Sequence, residues 1–465
     1  MSGDRTLVLA AAAIGTPWLA AVAVVAVRRY TRAIGFSAVL AAVAASGLLL
    51  KAAPASDSLG PALMLLFSCL TLGATLVLPR RDCRPGVMSG ILFLAGATLL
   101  AYWSDSLVLM LAGWSLSTVP FLTSRWLGSA GWRPKAGLAA STLAVALAVA
   151  LLAGSGQPLT ITELQHGNPG GMVVFALLVI AAVLRKGIFP AHAWVIDAAS
   201  EGMLVPTALL LNGHLGAMLV AKMAGPLFPH VPPVLSYLAL ATALYAAIRT
   251  LAENSPRRVL ALIALSQSAC ILAGLESRTP EGVAGALAHW TVVTVSTMGL
   301  FGVLRLLEVR FGENLTASHY LGLAEHAPRL SVFFIVFGLA LAGLPGTLSF
   351  CSQDLLISGT LASHPQTGLL LPVATALNAV SIFRLFARLF LGKRRTGFTA
   401  MADALPRERW ILTAGVLFVV LGGLYPETVV PLHLQRSEKP PLSERSAHAL
   451  PRRQHLVDLV GKFGR

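Results

Sequence analysis

The chain has 465 residues, of which 56% are hydrophobic and only 12% are charged. An average soluble domain carries about a quarter charged residues, so the chain lacks the polar surface that a water-soluble enzyme of this length needs. The net charge of +15 lies mainly in short loops between apolar runs. Because no basic stripe is interleaved with aromatic residues, a nucleic-acid partner is not expected.

Continuous apolar runs predict an all-α polytopic membrane protein, because helices satisfy every backbone polar group internally. Their lengths indicate about fourteen transmembrane helices. The first run ends at Arg28 and Arg29 without a small-residue cleavage site, so we expect it to be retained. The predicted spans are residues 6–27, 33–50, 60–79, 86–103, 106–124, 136–153, 171–190, 203–222, 233–252, 259–275, 282–304, 330–360, 367–391 and 409–430.

The loops alternate in charge along the chain, which predicts the orientation. Loops after the first, third and fifth spans are basic, whereas the loops between them hold Lys51 with Asp57, then Asp105, then Glu163. The positive-inside rule therefore places the N-terminus outside the inner (cytoplasmic) membrane of the cell. The cytoplasmic cations in this scheme are Arg28, Arg29, Arg32, Arg80, Arg81, Arg84, Arg125, Arg133, Lys135, Arg257, Arg258, Lys393, Arg394 and Arg395.

The tail, 432–465, is basic although an even number of spans would leave it outside. It contains Leu456, Leu459, Val460 and Phe463, which have the spacing of one apolar helix face. Two interpretations remain open: a frayed terminus, or a short helix that docks on a partner subunit or lies in the membrane interface.

Two predicted spans contain helix-breaking residues. The first, 184–206, includes Gly187, Pro190, Gly202 and Pro206, and the second, 341–360, includes Gly343, Pro345 and Gly346. Gly and Pro at corresponding places in two halves of a transporter-like chain indicate discontinuous helices, whose ends meet near the membrane midplane.

Ionisable side chains within the apolar runs are candidate ion-translocation residues, because a charge at the bilayer centre costs about 2.5–3.5 kcal/mol. Arg185 and Lys186 are either anchors that reach the membrane interface or cations of a proton path paired with Glu201 or Asp354. Asp354 itself either caps a half-helix or serves as the carboxylate of the path.

His214 and His289 lie in the middle of predicted spans. Each either hydrogen-bonds a neighbouring helix or relays protons. Lys222, Arg384 and Arg388 lie near span ends and are interpreted as anchors. The chain has no Walker loop, no HExxH and no CxxC among its four cysteines, so we expect neither a cofactor, a metal site nor a catalytic site of its own.

Segment 185–197 (RKGIFPAHAWVID), followed by 206–210 (PTALL), resembles the signature of the antiporter-like subunits of respiratory complex I and Mrp antiporters. Segments 113–116 (GWSL), 257–267 and 343–354 resemble further motifs of that family in the same order. The resemblance implies two inverted five-helix repeats, each with a broken helix, and a polar axis along the membrane middle. The domains implied are N-terminal helices 1–85, repeats 86–222 and 233–395, and a last helix with a basic tail, 396–465.

Several residues depart from the family pattern. The family pairs a glutamate with a lysine, whereas this chain has Ser115 at the glutamate position and Arg185 at the lysine position, with Lys186 next to it. An arginine keeps its charge and cannot exchange a proton as a lysine does. Other charged or histidine positions of the family correspond to Leu210 or Leu211, Val293, Thr297 and Gln353.

Three functions are compatible with the sequence. The first is an ion-translocating, most simply proton-translocating, subunit that couples the ion gradient to a partner in a larger membrane complex, such as a NADH-quinone oxidoreductase-like assembly. The second is the membrane subunit of a DAB-type inorganic-carbon (CO2/bicarbonate) transporter, whose partner is a zinc-containing, carbonic-anhydrase-like subunit. The third is a non-conducting scaffold, which the residues at the departing positions favour.

Overall fold

The computed structural model describes residues 2–54, 59–128, 131–164, 171–227, 233–311, 315–393 and 402–426. These residues form an all-helical bundle, as the sequence predicts, with a single isolated β-bridge between Ser106 and Thr160. The α-helices are α1 Ser2–Ala26, α2 Thr31–Ala52, α3 Leu59–Val77, α4 Pro85–Trp103, α5 Leu107–Thr123, α6 Trp132–Gly154, α7 Ile161–Leu164, α8 Gly171–Lys186, α9 Ala193–Glu201, α10 Leu204–Asn212, α11 Leu215–Leu227, α12 Val234–Ala252, α13 Pro256–Glu276, α14 Pro280–Phe311, α15 Pro328–Leu341, α16 Leu348–Ser363, α17 Pro365–Phe390 and α18 Pro406–Leu424.

The helices have the length and composition of membrane spans. Within the described residues, ten helical segments are long and apolar enough to cross a membrane, and α5 and α15 are shorter apolar helices. The chain is therefore a multi-pass membrane protein, while the count of fourteen spans stays a prediction. The tail segment 432–465 and the loop residues Arg394 and Arg395 lie outside the described residues.

Both predicted breaks are present. Between α8 and α9 the backbone of Gly187 takes a positive φ of 68°, and between α15 and α16 the φ values of Gly343 and Gly346 are 77° and 87°. A third break interrupts the predicted span 203–222, where His214 separates α10 from α11 with a φ of 41°. This left-handed conformation is uncommon for a residue other than glycine, and the apolar pattern of the segment gave no sign of it.

Glycines allow close approach between the helices that carry the polar residues. A Cβ at Gly216 on α11 would lie 2.7 Å from Lys186 Cγ on α8. A Cβ at Gly285 on α14 would lie 2.3 Å from the backbone nitrogen of Leu356 on α16. Because real Cβ atoms do not approach other atoms this closely, both helix pairs depend on the absence of a side chain.

Two of the cations interpreted as anchors satisfy helix-end carbonyl groups. Lys222 Nζ donates to the carbonyl oxygen of Tyr102 at 3.1 Å, where α4 ends. Arg384 Nη2 donates to the carbonyl oxygen of Thr250 at 2.9 Å, near the end of α12. The last carbonyls of a helix have no partner within it, so Lys222 and Arg384 stabilise helix termini. Arg388 Nη1 instead donates to the side-chain oxygen of Asn254, in the loop after α12, at 2.6 Å.

A buried carboxylate joins several parts of the bundle. Glu308 on α14, 2% exposed, accepts two hydrogen bonds from Arg257 on α13, at 2.6 and 2.7 Å, and one from Arg305 at 3.1 Å. Arg305 also binds both carboxylate oxygens of Asp82, at 2.7 and 2.9 Å. Arg257 Nη1 donates to the carbonyl oxygen of Gly202, just after α9, at 3.0 Å. The network therefore fixes the second half of the first broken helix against α13 and α14.

Candidate ion-translocation site

Two adjacent cations are buried at the end of α8, next to the first break. Arg185 is 6% exposed and Lys186 is 5% exposed. Arg185 Nη2 donates to Ser117 Oγ on α5 at 2.6 Å, and its guanidinium lies 5.4 Å from the centre of the Trp114 ring. A cation over an indole face gains electrostatic stabilisation. The arginine is thus held by a neutral hydroxyl and a ring.

The neighbouring ammonium contacts an imidazole. Lys186 Nζ and His214 Nδ1 form a hydrogen bond across the interface of α8 and the third break. The break is held in turn by Tyr102, whose hydroxyl donates to the carbonyl oxygen of Gly213. The His214 ring also meets the edge of the Trp290 ring on α14, with 5.3 Å between ring centres. This places two groups that can exchange a proton in direct contact inside the membrane.

A second histidine lies where α13, α14 and α16 meet. His289 is fully buried, and its Nε2 lies 2.9 Å from Gln267 Oε1 and its Nδ1 lies 3.3 Å from Ser352 Oγ. Since an amide oxygen only accepts, Nε2 carries a hydrogen and Nδ1 can accept from the hydroxyl in the neutral ring. The contact with Gln267 therefore holds the neutral imidazole as the Nε2–H tautomer.

Uncharged polar residues connect the two halves. Thr297 Oγ1 on α14 donates to Asn212 Oδ1, the last residue of α10, at 2.8 Å. Beyond His289, Gln353 Nε2 donates to Ser349 Oγ at 3.1 Å, beside the second break. We name the buried polar groups of these contacts together the polar axis: Ser117, Arg185, Lys186, Asn212, His214, Thr297, Gln267, His289 and Ser352.

A small cavity adjoins the cation pair. Its volume is about 20 Å³, which is enough for one water-sized particle. Three buried side-chain nitrogens of its lining residues lack a hydrogen-bond partner in the part of the chain that the structure describes. The polar lining residues are Arg185, Lys186, Asn212, His214 and Ser268. Buried polar groups are normally satisfied by protein or small ligands such as water, so the cavity is a site for a small polar species.

The two predicted carboxylates lie away from this site. Glu201 is exposed at the end of α9, and Asp354 is exposed on the outer face of α16. The contacts that the structure gives Lys186 and Arg185 are with His214 and Ser117 instead, so the expected pairing with a carboxylate is not observed among the described contacts. The role of all six predicted residues in translocation stays a prediction.

Several members of the polar axis were not selected from the sequence: Ser117, Asn212, Gln267 and Ser352. They are uncharged, so the cost of burying them gives no strong signal. Two of them do stand out in the sequence. Gln267 lies in segment 257–267, which resembles a family motif, and Asn212 interrupts an apolar run. Ser115, at the family's glutamate position, donates to the carbonyl oxygen of Leu111 in its own helix at 2.7 Å. The Ser117 hydroxyl, two residues later in α5, accepts the hydrogen bond from Arg185.

Residues 104–379 match the family model described as NADH:quinone oxidoreductase/Mrp antiporter, TM. The matched range is more than half of the chain and contains the whole polar axis. The chain belongs to this family.

Relatives within this antiporter-like family are distant in sequence. Subunit M of NADH-quinone oxidoreductase from Mycobacterium tuberculosis is 26% identical over 55% of this chain and 47% of its own length. NAD(P)H-quinone oxidoreductase chain 4 2 from Synechococcus sp. is 25% identical over 85% of this chain and 80% of its own length. The chain thus spans about half the length of the first of these relatives.

Solved structures share the fold. A chain of respiratory complex I from Thermus thermophilus aligns with a TM-score of 0.80 at 22% identity, over 92% of this chain and 99% of that chain. A chain of the Mrp complex from Dietzia sp. aligns with a TM-score of 0.81 at 18% identity, over 92% of this chain and 97% of that chain. The identities are low, so these matches establish the architecture alone.

Proposed function

We propose that the chain is an ion-translocating subunit of a larger membrane complex and that the ion is the proton. The contact between Lys186 and His214 carries the proposal, because it joins two groups that can each hold or release a proton inside the membrane. His289, bound between Gln267 and Ser352, continues the polar series in the other half of the bundle. The relatives whose names contain NADH-quinone oxidoreductase support the same assignment.

The chemistry proposed for the axis is a relay. The charged ammonium of Lys186 donates a proton to His214 Nδ1. In the reverse step the protonated imidazole of His214 returns a proton to the neutral amine of Lys186. Arg185 stays charged throughout, since a guanidinium does not titrate at accessible pH. Asn212 and Thr297, which are hydrogen-bonded to each other, provide polar partners for a water that bridges the step between His214 and His289.

The first test replaces His289 by leucine. The substitution removes the contacts to Gln267 and Ser352, while leucine fills a similar space. We therefore expect the rate of proton translocation by the assembled complex to fall about 100-fold. The measurement is acidification of sealed proteoliposomes with a pH-sensitive dye. His319→Leu, at an exposed site, is the matched control and should leave the rate unchanged. Equal rates for His289→Leu and wild type would contradict a role for His289.

The division into repeats 86–222 and 233–395 is part of the proposal. It is supported by a broken helix in each range, α8 to α9 in the first and α15 to α16 in the second; the first range also contains the break at His214 between α10 and α11. The orientation proposed from loop charge puts the N-terminus outside and Arg257, which binds Glu308, on the cytoplasmic side of the inner membrane.

We also propose that a partner subunit covers the outer face of α16. Asp354 lies nine residues before the end of α16 at Ser363, about 14 Å along the helix, which is about half of a 30 Å hydrocarbon core. Its side chain is exposed, and within the described ranges the structure shows no hydrogen-bond or ion-pair partner for it. A carboxylate facing lipid at this depth is costly.

The exposed backbone of the second break also supports a partner subunit at this surface. Leu344, Pro345 and Gly346, in the second break, are exposed next to α16. Irregular backbone at membrane depth is tolerated where protein covers it or where it lines water. The covering group we propose is a transmembrane helix of a partner subunit that presents a basic side chain to Asp354. Solved relatives come from multi-subunit complexes, which supports such a partner.

Replacing Asp354 by leucine tests the partner surface. We expect the tagged chain to lose its co-purified membrane partner, because the basic side chain of the partner would then be unpaired in the membrane. Co-purification in mild detergent with quantitative mass spectrometry provides the readout. Ser358→Leu, one turn away on the same exposed face, is the control and should retain the partner. Undiminished recovery with Asp354→Leu would contradict the proposed contact.

A non-conducting scaffold is the second candidate function. It is favoured by the lack of a carboxylate among the described residues that line the cavity and by Ser115, which bonds within its own helix. The inorganic-carbon transporter is an alternative identity for the complex. A zinc-containing, carbonic-anhydrase-like protein among the co-purified partners would favour the inorganic-carbon transporter. Respiratory subunits among them would favour a NADH-quinone oxidoreductase-like complex.

A further inference from the structure

We propose that the cavity beside Arg185 and Lys186 binds a small monovalent anion of the size of chloride. Both cations are more than nine-tenths buried, and they line the same cavity as Asn212, His214 and Ser268. None of the described residues that line it carries a carboxylate. The site therefore combines positive charge with hydrogen-bond donors and space, which are the features that an anion requires.

The charge of Arg185 needs a counter-charge. Within the described residues its polar contact is the neutral hydroxyl of Ser117, and Trp114 adds only the face of a ring. Buried charges in proteins are paired, since an isolated one carries a large desolvation cost. Ser115 does not supply the charge, because it is a serine and bonds within its own helix. A bound anion meets the requirement without any carboxylate.

Unsatisfied donors surround the cavity. Arg185 Nη1 and Asn212 Nδ2 are buried without a hydrogen-bond partner, and both carry hydrogens in every protonation state accessible to them. His214 Nε2 is also buried without a partner, and it is a donor whenever Nδ1 accepts from Lys186. Three donors of residues that line one cavity favour an anion over a cation.

The size of the cavity restricts the ligand. A volume of about 20 Å³ suits a water-sized particle, which matches a monatomic halide better than a polyatomic dianion such as sulfate. The inference rests on the proposed function in one respect: the anion would balance Arg185 while Lys186 changes its charge. Anion binding is measured without proton transport, so either proposal can fail alone.

The test is equilibrium binding of radioactive chloride to the purified full-length chain in lipid nanodiscs. We expect saturable binding of one chloride per chain, displaced by bromide and not by gluconate or sulfate. Ser117→Glu places a carboxylate beside Arg185 and should weaken chloride binding about tenfold or more, since the side chain then supplies the counter-charge. Arg185→Gln should weaken it similarly by removing the charge.

Arg384→Gln, which removes another partly buried arginine that binds helix-end carbonyls, is the matched control and should bind chloride as the wild type does. If Arg185→Gln does not fold, Ser117→Glu decides alone, because an internal ion pair is expected to preserve the fold. No saturable binding to the wild type, or wild-type affinity in folded Ser117→Glu, would overturn the proposal.

Discussion

Replacing Lys186 with methionine is expected to reduce proton translocation by the assembled complex about 100-fold or more, the effect typical of removing a proton-transfer group. Methionine preserves the length and apolar stem of the side chain, which packs against Gly216. It lacks the ammonium that contacts His214 Nδ1. The packing of α8 on α11 should therefore remain while the relay is interrupted.

The control for this variant is Lys51→Met, which removes an exposed lysine at the end of α2 and should leave the rate unchanged. Lys186→Arg is a sharper companion variant, because arginine keeps the positive charge but does not release a proton. We expect it to be as inactive as Lys186→Met. Full activity in Lys186→Arg would show that the position needs only a positive charge and would contradict the relay.

Replacing Glu308 with alanine is expected to lower the free energy of unfolding by about 3–5 kcal/mol, since removal of one partner leaves buried charges uncompensated. Arg257 and Arg305 both bind Glu308 and would lose their shared carboxylate. Arg257 also holds the carbonyl oxygen of Gly202, so the second half of the first broken helix should loosen with it.

Thermal unfolding of the purified protein in detergent measures this effect. Glu163→Ala, at an exposed carboxylate between α6 and α8, is the control, and surface substitutions usually change stability by less than about 0.5 kcal/mol. A melting temperature for Glu308→Ala equal to that of the control would show that the network contributes little to the stability of the bundle.

The sequence was sufficient to predict the membrane fold and two of its breaks. Composition excluded a soluble protein, and Gly187, Gly343 and Gly346 identified the two segments where a helix could not continue. The third break is not predicted because Asn212 and Gly213, which precede His214, lie inside an otherwise continuous apolar run and no proline accompanies them. Its conformation depends on tertiary contacts, among them the Tyr102 hydroxyl on Gly213.

The site was predicted less completely than the fold. Lys186, His214 and His289 were selected because ionisable groups are costly in a membrane, and the structure places Lys186 and His214 in contact. The same reasoning selected Glu201 and Asp354, which are exposed. Apolar runs locate a residue along a helix but do not determine which face it occupies, because nearly all faces of these helices are hydrophobic.

The central claim is that Lys186 and His289 act in series on one path, and the double variant Lys186→Met/His289→Leu tests it most directly. Proton translocation by the assembled complex would be measured in sealed proteoliposomes for the wild type, both single variants and the double variant. Groups acting in series are non-additive, so the account predicts that the double variant is no slower than the slower single variant. Losses that multiply, or single variants that translocate protons at the wild-type rate, would contradict a shared path.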